Sequence, residues 1–112
     1  MSFFPELITR HPAADLGLDG VESHLVQAGD QQMVFMRFTR DLEVPEHSHE
    51  AQWGVVLDGE MELTVEGVRK VLRRGDSYYV PAGAKHSARI QLGYADVTLF
   101  DERDRYTILQ RG

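Results

Sequence analysis

A chain of 112 residues, 42% of them hydrophobic, has room for one core, and its net charge of −6 argues against nucleic acid or an anionic membrane surface as a partner. The absence of cysteine removes disulfides, thiolate ligands and a cysteine nucleophile, and fits a reducing compartment. No apolar run approaches a membrane span and no charged-then-apolar leader opens the chain, so a soluble, cytoplasmic protein is expected.

Residues 1–20 are weakly patterned. Pro5-Glu6-Leu7-Ile8 can open one helical turn, which His11-Pro12 would end, and Gly17 and Gly20 mark a loop. Val21 to Val26 alternates loosely and Gly29-Asp30 turns it. The run 31–39 reads as a strand apolar on both faces, suited to a sandwich or an interface. Asp41 to Val44 leads to Pro45, which has no backbone donor and therefore marks a strand start, an edge or a bulge. His11 and His24 have no ligand-type neighbour and read as surface or structural residues.

Short strands then follow at regular spacing. Gln52 to Leu57 precedes the hairpin dipeptide Asp58-Gly59, and Met61-Glu62-Leu63-Thr64-Val65 alternates cleanly. Glu66-Gly67 turns into 68–72, Gly75-Asp76 into 77–80, and Pro81-Ala82-Gly83 into a strand over 85–92. In that strand His86, Ala88, Ile90 and Leu92 share one face. Tyr94 to Phe100 is the last clear strand, 101–105 is a charged turn, and Tyr106 to Leu109 adds a short terminal strand. Eight to ten strands with Gly, Pro and Asp turns predict an all-β sandwich or barrel with hardly any helix.

Within this pattern, His47-Ser48-His49 places two imidazoles two residues apart. On a strand they face the same way, as a divalent metal requires. The alternative is a solvated edge carrying two exposed histidines.

The run Gly75, five residues, Pro81, one residue, Gly83, two residues, His86 resembles the second cupin motif. His47-x-His49, a short gap, Gln52, six residues and Gly59 resembles the first. The fifteen residues between Gly59 and Gly75 are similar to the spacing in small single-domain cupins. The resemblance therefore implies one cupin domain over 1–112, with motif 1 at 44–60 and motif 2 at 75–90. The fold it implies is the double-stranded β-helix, a jelly-roll barrel. Three departures stand out. Gln52 occupies the usual glutamate position, the gap before it is short, and Ile90 replaces a usual asparagine.

Chemistry and resemblance together imply a divalent transition metal (Zn, Ni, Fe or Mn) on His47, His49 and His86, with Gln52 as fourth ligand through its amide oxygen. Glu50 is the rival, as a carboxylate, although its parity is that of Ser48 and would point it away. Three imidazoles and an amide leave the ion its full charge, a strong Lewis acid for a carboxylate or carbonyl. The set is similar to that of the cupins of pectin and alginate breakdown, which open cyclic unsaturated uronates. Those proteins use an aspartate, an arginine and a phenylalanine near their C-terminal strands. By that resemblance Phe100 would contact substrate, and Tyr79, next to the pocket-forming turn, is a second substrate-binding candidate, with packing as the alternative. The expected aspartate position holds Thr98, so Asp96 is either the stand-in acid–base residue or a strand-end surface carboxylate, with Arg103 or Arg105 as the cation. A metal-dependent isomerase or lyase acting on a small acidic substrate is therefore expected, with a dioxygenase or a non-catalytic small-molecule-binding cupin as alternatives. The two apolar faces of 33–38 and 94–100 add the expectation of a homodimer.

Overall fold

The computed structural model describes residues 1–109, and its order is one helical turn followed by nine strands. These are α1 (Glu6–Thr9), β1 (Val21–Ala28), β2 (Gln31–Phe38), β3 (Leu42–His47), β4 (Gln52–Asp58), β5 (Glu60–Val65), β6 (Val68–Arg73), β7 (Ser77–Val80), β8 (His86–Ile90) and β9 (Ala95–Phe100). They form a five-stranded sheet in the order β1-β2-β9-β4-β7 and a four-stranded sheet in the order β3-β8-β5-β6, every pairing antiparallel. This is the expected all-β jelly roll. Among the described residues no helix is long and apolar enough to cross a membrane.

Period-two alternation builds the core. β2 turns Gln32, Val34, Met36 and Phe38 inward, β5 turns Met61 and Leu63 inward from the other sheet, and Val56 and Val80 join the same buried cluster. Burying a side chain of this size contributes roughly 1.5–3 kcal/mol, so these contacts hold the sheets together without help from a ligand. Three of the four outer strands resist further pairing. β7 has four residues, β3 carries Pro45 and a bulge between Val44 and His47, and β6 presents Arg69, Lys70 and Arg73.

Two glycines are fixed by close approach. A side chain on Gly59, at φ 72°, would come within 2.7 Å of the Tyr94 backbone, and one on Gly54 would overlap the Tyr78 ring.

The outer face of β2 explains its apolar character in part. Phe4 is buried there, edge-to-face with Phe35 at 5.8 Å, and the Arg37 guanidinium lies 4.4 Å from the Phe3 ring. The chain's own N-terminus therefore covers part of a surface that the sequence suggested a partner would cover.

Four expectations shift. β8 ends at Ile90, and Leu92, expected on its inner face, is exposed in the following turn. Residues 106–109 form no strand; they make a single bridge, Ala14 with Ile108, because the hydrogen bonds on either side of it go to the irregular stretch 13–15. The N-terminal helical turn ends at Arg10, before His11-Pro12. Of the pair His47 and His49, His47 alone lies on a strand, and His49 is in the loop beyond it.

Candidate metal centre

Three local devices bring the histidines together. The bulge in β3 turns His47 inward as the last residue of that strand. β8 opens with His86 directly opposite His47 in the antiparallel register. The loop carrying His49 is fastened to the Pro81–Gly83 turn by Gly83 N–H donating to the His49 carbonyl at 2.9 Å. One ring nitrogen from each histidine then lies within 4.8 Å of the others.

Hydrogen bonds fix the tautomers. The Nδ1 of His47 meets the Pro45 carbonyl at 2.9 Å, that of His49 the Glu50 carbonyl at 2.7 Å, and that of His86 the Ala84 carbonyl at 2.9 Å. A carbonyl only accepts, so each Nδ1 carries the proton and each Nε2 presents a lone pair. The Nε2 atoms of His49 and His86 are 3.1 Å apart. Tetrahedral ligand nitrogens about 2.1 Å from zinc stand roughly 3.4 Å from one another, a similar spacing. Burial lowers the pKa of His49 and of His86, with positive charge nearby acting the same way, so both favour the neutral, metal-binding form. The donor set fits a divalent transition ion.

Gln52, at the start of β4, lines the same cavity, and its Nε2 donates to Thr98 Oγ1 at 3.0 Å. Among the described residues its Oε1 makes no hydrogen bond. Glu50 is exposed and outside the histidine cluster. Its N–H donates to the Glu102 carboxylate at 3.0 Å, which turns the residue along the rim.

Beneath the histidines runs a cavity of about 460 Å³. β9 contributes Phe100 and Asp96 to its wall, both buried, with Thr98 buried between them behind Gln52, and Phe100 meets the His49 ring at 5.6 Å. Asp96, weighed from sequence as a surface carboxylate or an acid–base residue, is 2% exposed. Its Oδ2 accepts from the Tyr78 and Tyr94 hydroxyls, each at 2.7 Å, while its Oδ1 is buried without a partner. Desolvation raises its pKa to about 6, against the lowering pull of the two phenols. Burial and the adjacent carboxylate in turn raise both tyrosine values.

The remaining candidates separate. Tyr79 lies on the outer face, 59% exposed and paired with Trp53, because strand alternation gives the inward position to its neighbour Tyr78. Arg103 also points outward, with its carbonyl held by Gln27 and its guanidinium 3.8 Å from Asp30. Arg105 lines the cavity, with its guanidinium 4.5 Å from the Tyr106 ring and 5.7 Å from the Phe100 ring. Its Nε is buried with no partner among the described residues. The segment carrying it is clamped by buried Gln32, whose amide donates to the Tyr106 carbonyl and accepts from the Tyr106 N–H, each at 2.9 Å.

Sequence reasoning missed Tyr78, Tyr94, Tyr106 and Gln32. The signal available for the first was parity. Val80 is inward, so Tyr78 must be as well.

The sequence matches the family model of the cupin domain over residues 34–100. The chain is similar over its length to two solved structures. They are KdgF from Halomonas sp. (26% identity, TM-score 0.73, covering 93% of this chain and 96% of that one) and an RmlC-like cupin from Shewanella frigidimarina (25%, 0.73, 94% of each). Over 50 residues it is 46% identical to quercetin 2,3-dioxygenase of Bacillus subtilis, spanning 45% of this chain and 14% of that protein.

Proposed function

The chain belongs to the cupin family, and from that premise we propose that it is a metal-dependent enzyme that isomerises or cleaves a small carboxylate-bearing sugar or keto acid. The observation that carries the reading is the set of three imidazoles, each tied by Nδ1 to a backbone carbonyl and each presenting Nε2 to one point. His47, His49 and His86 hold the ion, and Gln52 completes the set through its amide oxygen. Bound there, a divalent ion supplies Lewis-acid polarisation of a substrate carbonyl or carboxylate.

The chain's own residues do the rest. The Arg105 guanidinium, beside the histidines and with a buried N–H unpaired, receives the substrate carboxylate as a charge-assisted hydrogen bond. Phe100 and Tyr106, edge-to-face at 5.4 Å, form an apolar wall that excludes water from one side of the substrate ring. Asp96 is the one carboxyl among the described residues lining the cavity, and with its pKa near 6 it takes up and returns a proton at Oδ1 close to neutral pH. Of the two arginines offered by the sequence, Arg105 and not the outward Arg103 takes the cation's role, and no substrate role remains for outward Tyr79.

The test is to load the purified protein with Zn²⁺, Ni²⁺, Mn²⁺ or Fe²⁺ in turn and supply unsaturated uronates. Turnover appears as loss of the ultraviolet absorbance of the conjugated double bond. No turnover with any metal, together with no uronate binding, would remove the reading. The second reading, a dioxygenase, is favoured by the short match to quercetin 2,3-dioxygenase, and oxygen uptake with a flavonol checks it. Against it, Glu50 is exposed and does not line the cavity, and the carboxylate near the histidines, Glu102, lies 3.8 Å from His49 on the Nδ1 side, away from the metal-facing Nε2.

A further inference from the structure

Thr98 holds a position where an aspartate was expected, and it is fully buried with no surface role. Its hydroxyl lies 3.0 Å from Gln52 Nε2 and 3.2 Å from the Trp53 carbonyl. A hydroxyl has one proton and two lone pairs. The Trp53 carbonyl can only accept, so that proton is committed to it. The Tyr78 phenol, also close to Thr98, has its own proton committed to Asp96. Thr98 Oγ1 can therefore only accept from Gln52. An amide has one end that donates and one that accepts, and a group that can only accept selects between them. The NH₂ end must face Thr98, and the oxygen must face the cavity that the histidines line.

We propose that Thr98 is a positioning residue that locks the Gln52 amide with its oxygen toward the three histidines, and so builds a fourth, neutral oxygen ligand for a divalent transition ion. The inference rests on the metal reading above and deepens it. Rotated by half a turn, the same amide would direct two N–H donors at the ion, which repel it. An aspartate at 98 would also accept from the amide, but it would add a negative charge behind the ligand and partly offset the ion's charge. Threonine orients the amide without that charge. The site keeps its full attraction for a carboxylate or enolate oxygen, which defines the substrate class as anionic.

The test is Zn²⁺ affinity, measured by competition with a chromophoric chelator, for wild-type protein, Thr98→Val, Thr98→Ser, Gln52→Ala and the Gln52→Ala/Thr98→Val double variant. Valine keeps the shape and removes both hydrogen bonds; serine keeps the hydroxyl. Supporting partners of metal ligands are typically worth 10–100-fold in affinity. Thr98→Val is therefore expected to weaken Zn²⁺ binding about tenfold or more, Thr98→Ser to stay within about threefold of wild type, and Thr98→Val to add nothing once Gln52 is alanine. Unchanged affinity in Thr98→Val, or an equal loss in the Gln52→Ala background, overturns the proposal and leaves the histidine site standing. Wild-type protein that binds no Zn²⁺ overturns both. A second measurement needs no variant. In selectively labelled wild-type protein the Gln52 side-chain NH₂ should show a through-space contact to the Thr98 methyl and slow solvent exchange. Freely exchanging amide protons with no such contact overturn the proposal even if Thr98→Val does not fold.

Discussion

The Nε2 atoms of His49 and His86 face one another at 3.1 Å, although the Nδ1 of each is already a donor to a backbone carbonyl. Two lone pairs at that distance repel unless a proton or a cation lies between them. Burial disfavours the proton, because it lowers the pKa of both rings. A divalent ion resolves the conflict, and the predictions begin there.

Purified protein is expected to carry close to one equivalent of divalent transition metal, by elemental analysis. His49→Ala and His86→Ala should each lose it. Both variants, and chelator-treated wild type, should remain folded by circular dichroism, since the core around Val34, Val56 and Leu72 lies outside the cavity lining. Loading with free ion at 100 times Kd should stabilise the protein by about 2.7 kcal/mol, read as a rise in Tm. Wild type and His86→Ala with equal metal content would contradict the assignment.

Gln52→Glu should retain metal but weaken an anionic ligand, because a carboxylate now stands beside the ion. Gln52→Ala should lose affinity about tenfold, at least as much as Thr98→Val, with water replacing the lost oxygen only in part. Glu50→Ala should change little, as that side chain lies on the rim. Metal titration ranks the three. The reverse order, with Glu50→Ala stripping the ion and Gln52→Glu silent, identifies Glu50 as the ligand and moves the preferred chemistry to oxygenation.

Arg105→Ala should raise KM for an acidic substrate by about tenfold or more, the worth of one hydrogen bond to a charged group at 1.5–3 kcal/mol. Arg103→Ala should leave KM within about twofold, because its guanidinium faces Asp30 across solvent. Steady-state kinetics on the two variants decides which arginine serves the substrate, and equal effects would contradict the placement.

Asp96 makes stability depend on pH in a direction unusual for a carboxylate. Its folded value of about 6 lies above the ordinary 3.8, so the folded state binds the proton more tightly than the unfolded chain does. Ionised, it costs stability above pH 6, by about 3 kcal/mol for a shift of about two units. That cost disappears as pH falls through 6 towards 4. Denaturant unfolding of wild type and Asp96→Asn from pH 4 to 8 isolates the group. Wild type should gain stability relative to Asp96→Asn on acidification, and parallel curves would show that Asp96 does not titrate there. In the same variant metal content should be unchanged and uronate turnover abolished.

A homodimer is expected through the outer face of the five-stranded sheet. Across the register, Met33, Leu99, Trp53 and Tyr79 form one row on that face, with Trp53 48% and Tyr79 59% exposed. A two-fold axis through this face would cover both copies at once. Light scattering should give twice the 12.7 kDa chain mass, and Trp53→Arg should halve it. A wild-type mass of 12.7 kDa at micromolar concentration would contradict it.

The sequence by itself determined most of the strands and turns and the three histidines, but not the terminal segment 106–109, the end of β8 or the loop position of His49. Period-two alternation, Asp58-Gly59 and the motif spacings are local properties, and they survive in any fold that buries one face of each strand. It also determined that Glu50 and Gln52 would compete as fourth ligand. Only the tertiary structure sets Gln52 in the cavity lining and leaves Glu50 exposed and outside it. His47 reaches the cavity because β8 sets His86 opposite it across a bulge, and no spacing within β3 encodes that. Thr98 matters because Gln52, 46 residues earlier, meets it across two paired strands. Arg103 and Arg105 are alike in composition and two residues apart in an irregular segment, where no periodicity assigns a side. A buried glutamine on β2 holds Tyr106 and so places Arg105 over the site. Local patterns fix which faces turn inward, but which distant side chains meet depends on strand order, and strand order is settled when the two sheets close over a shared core.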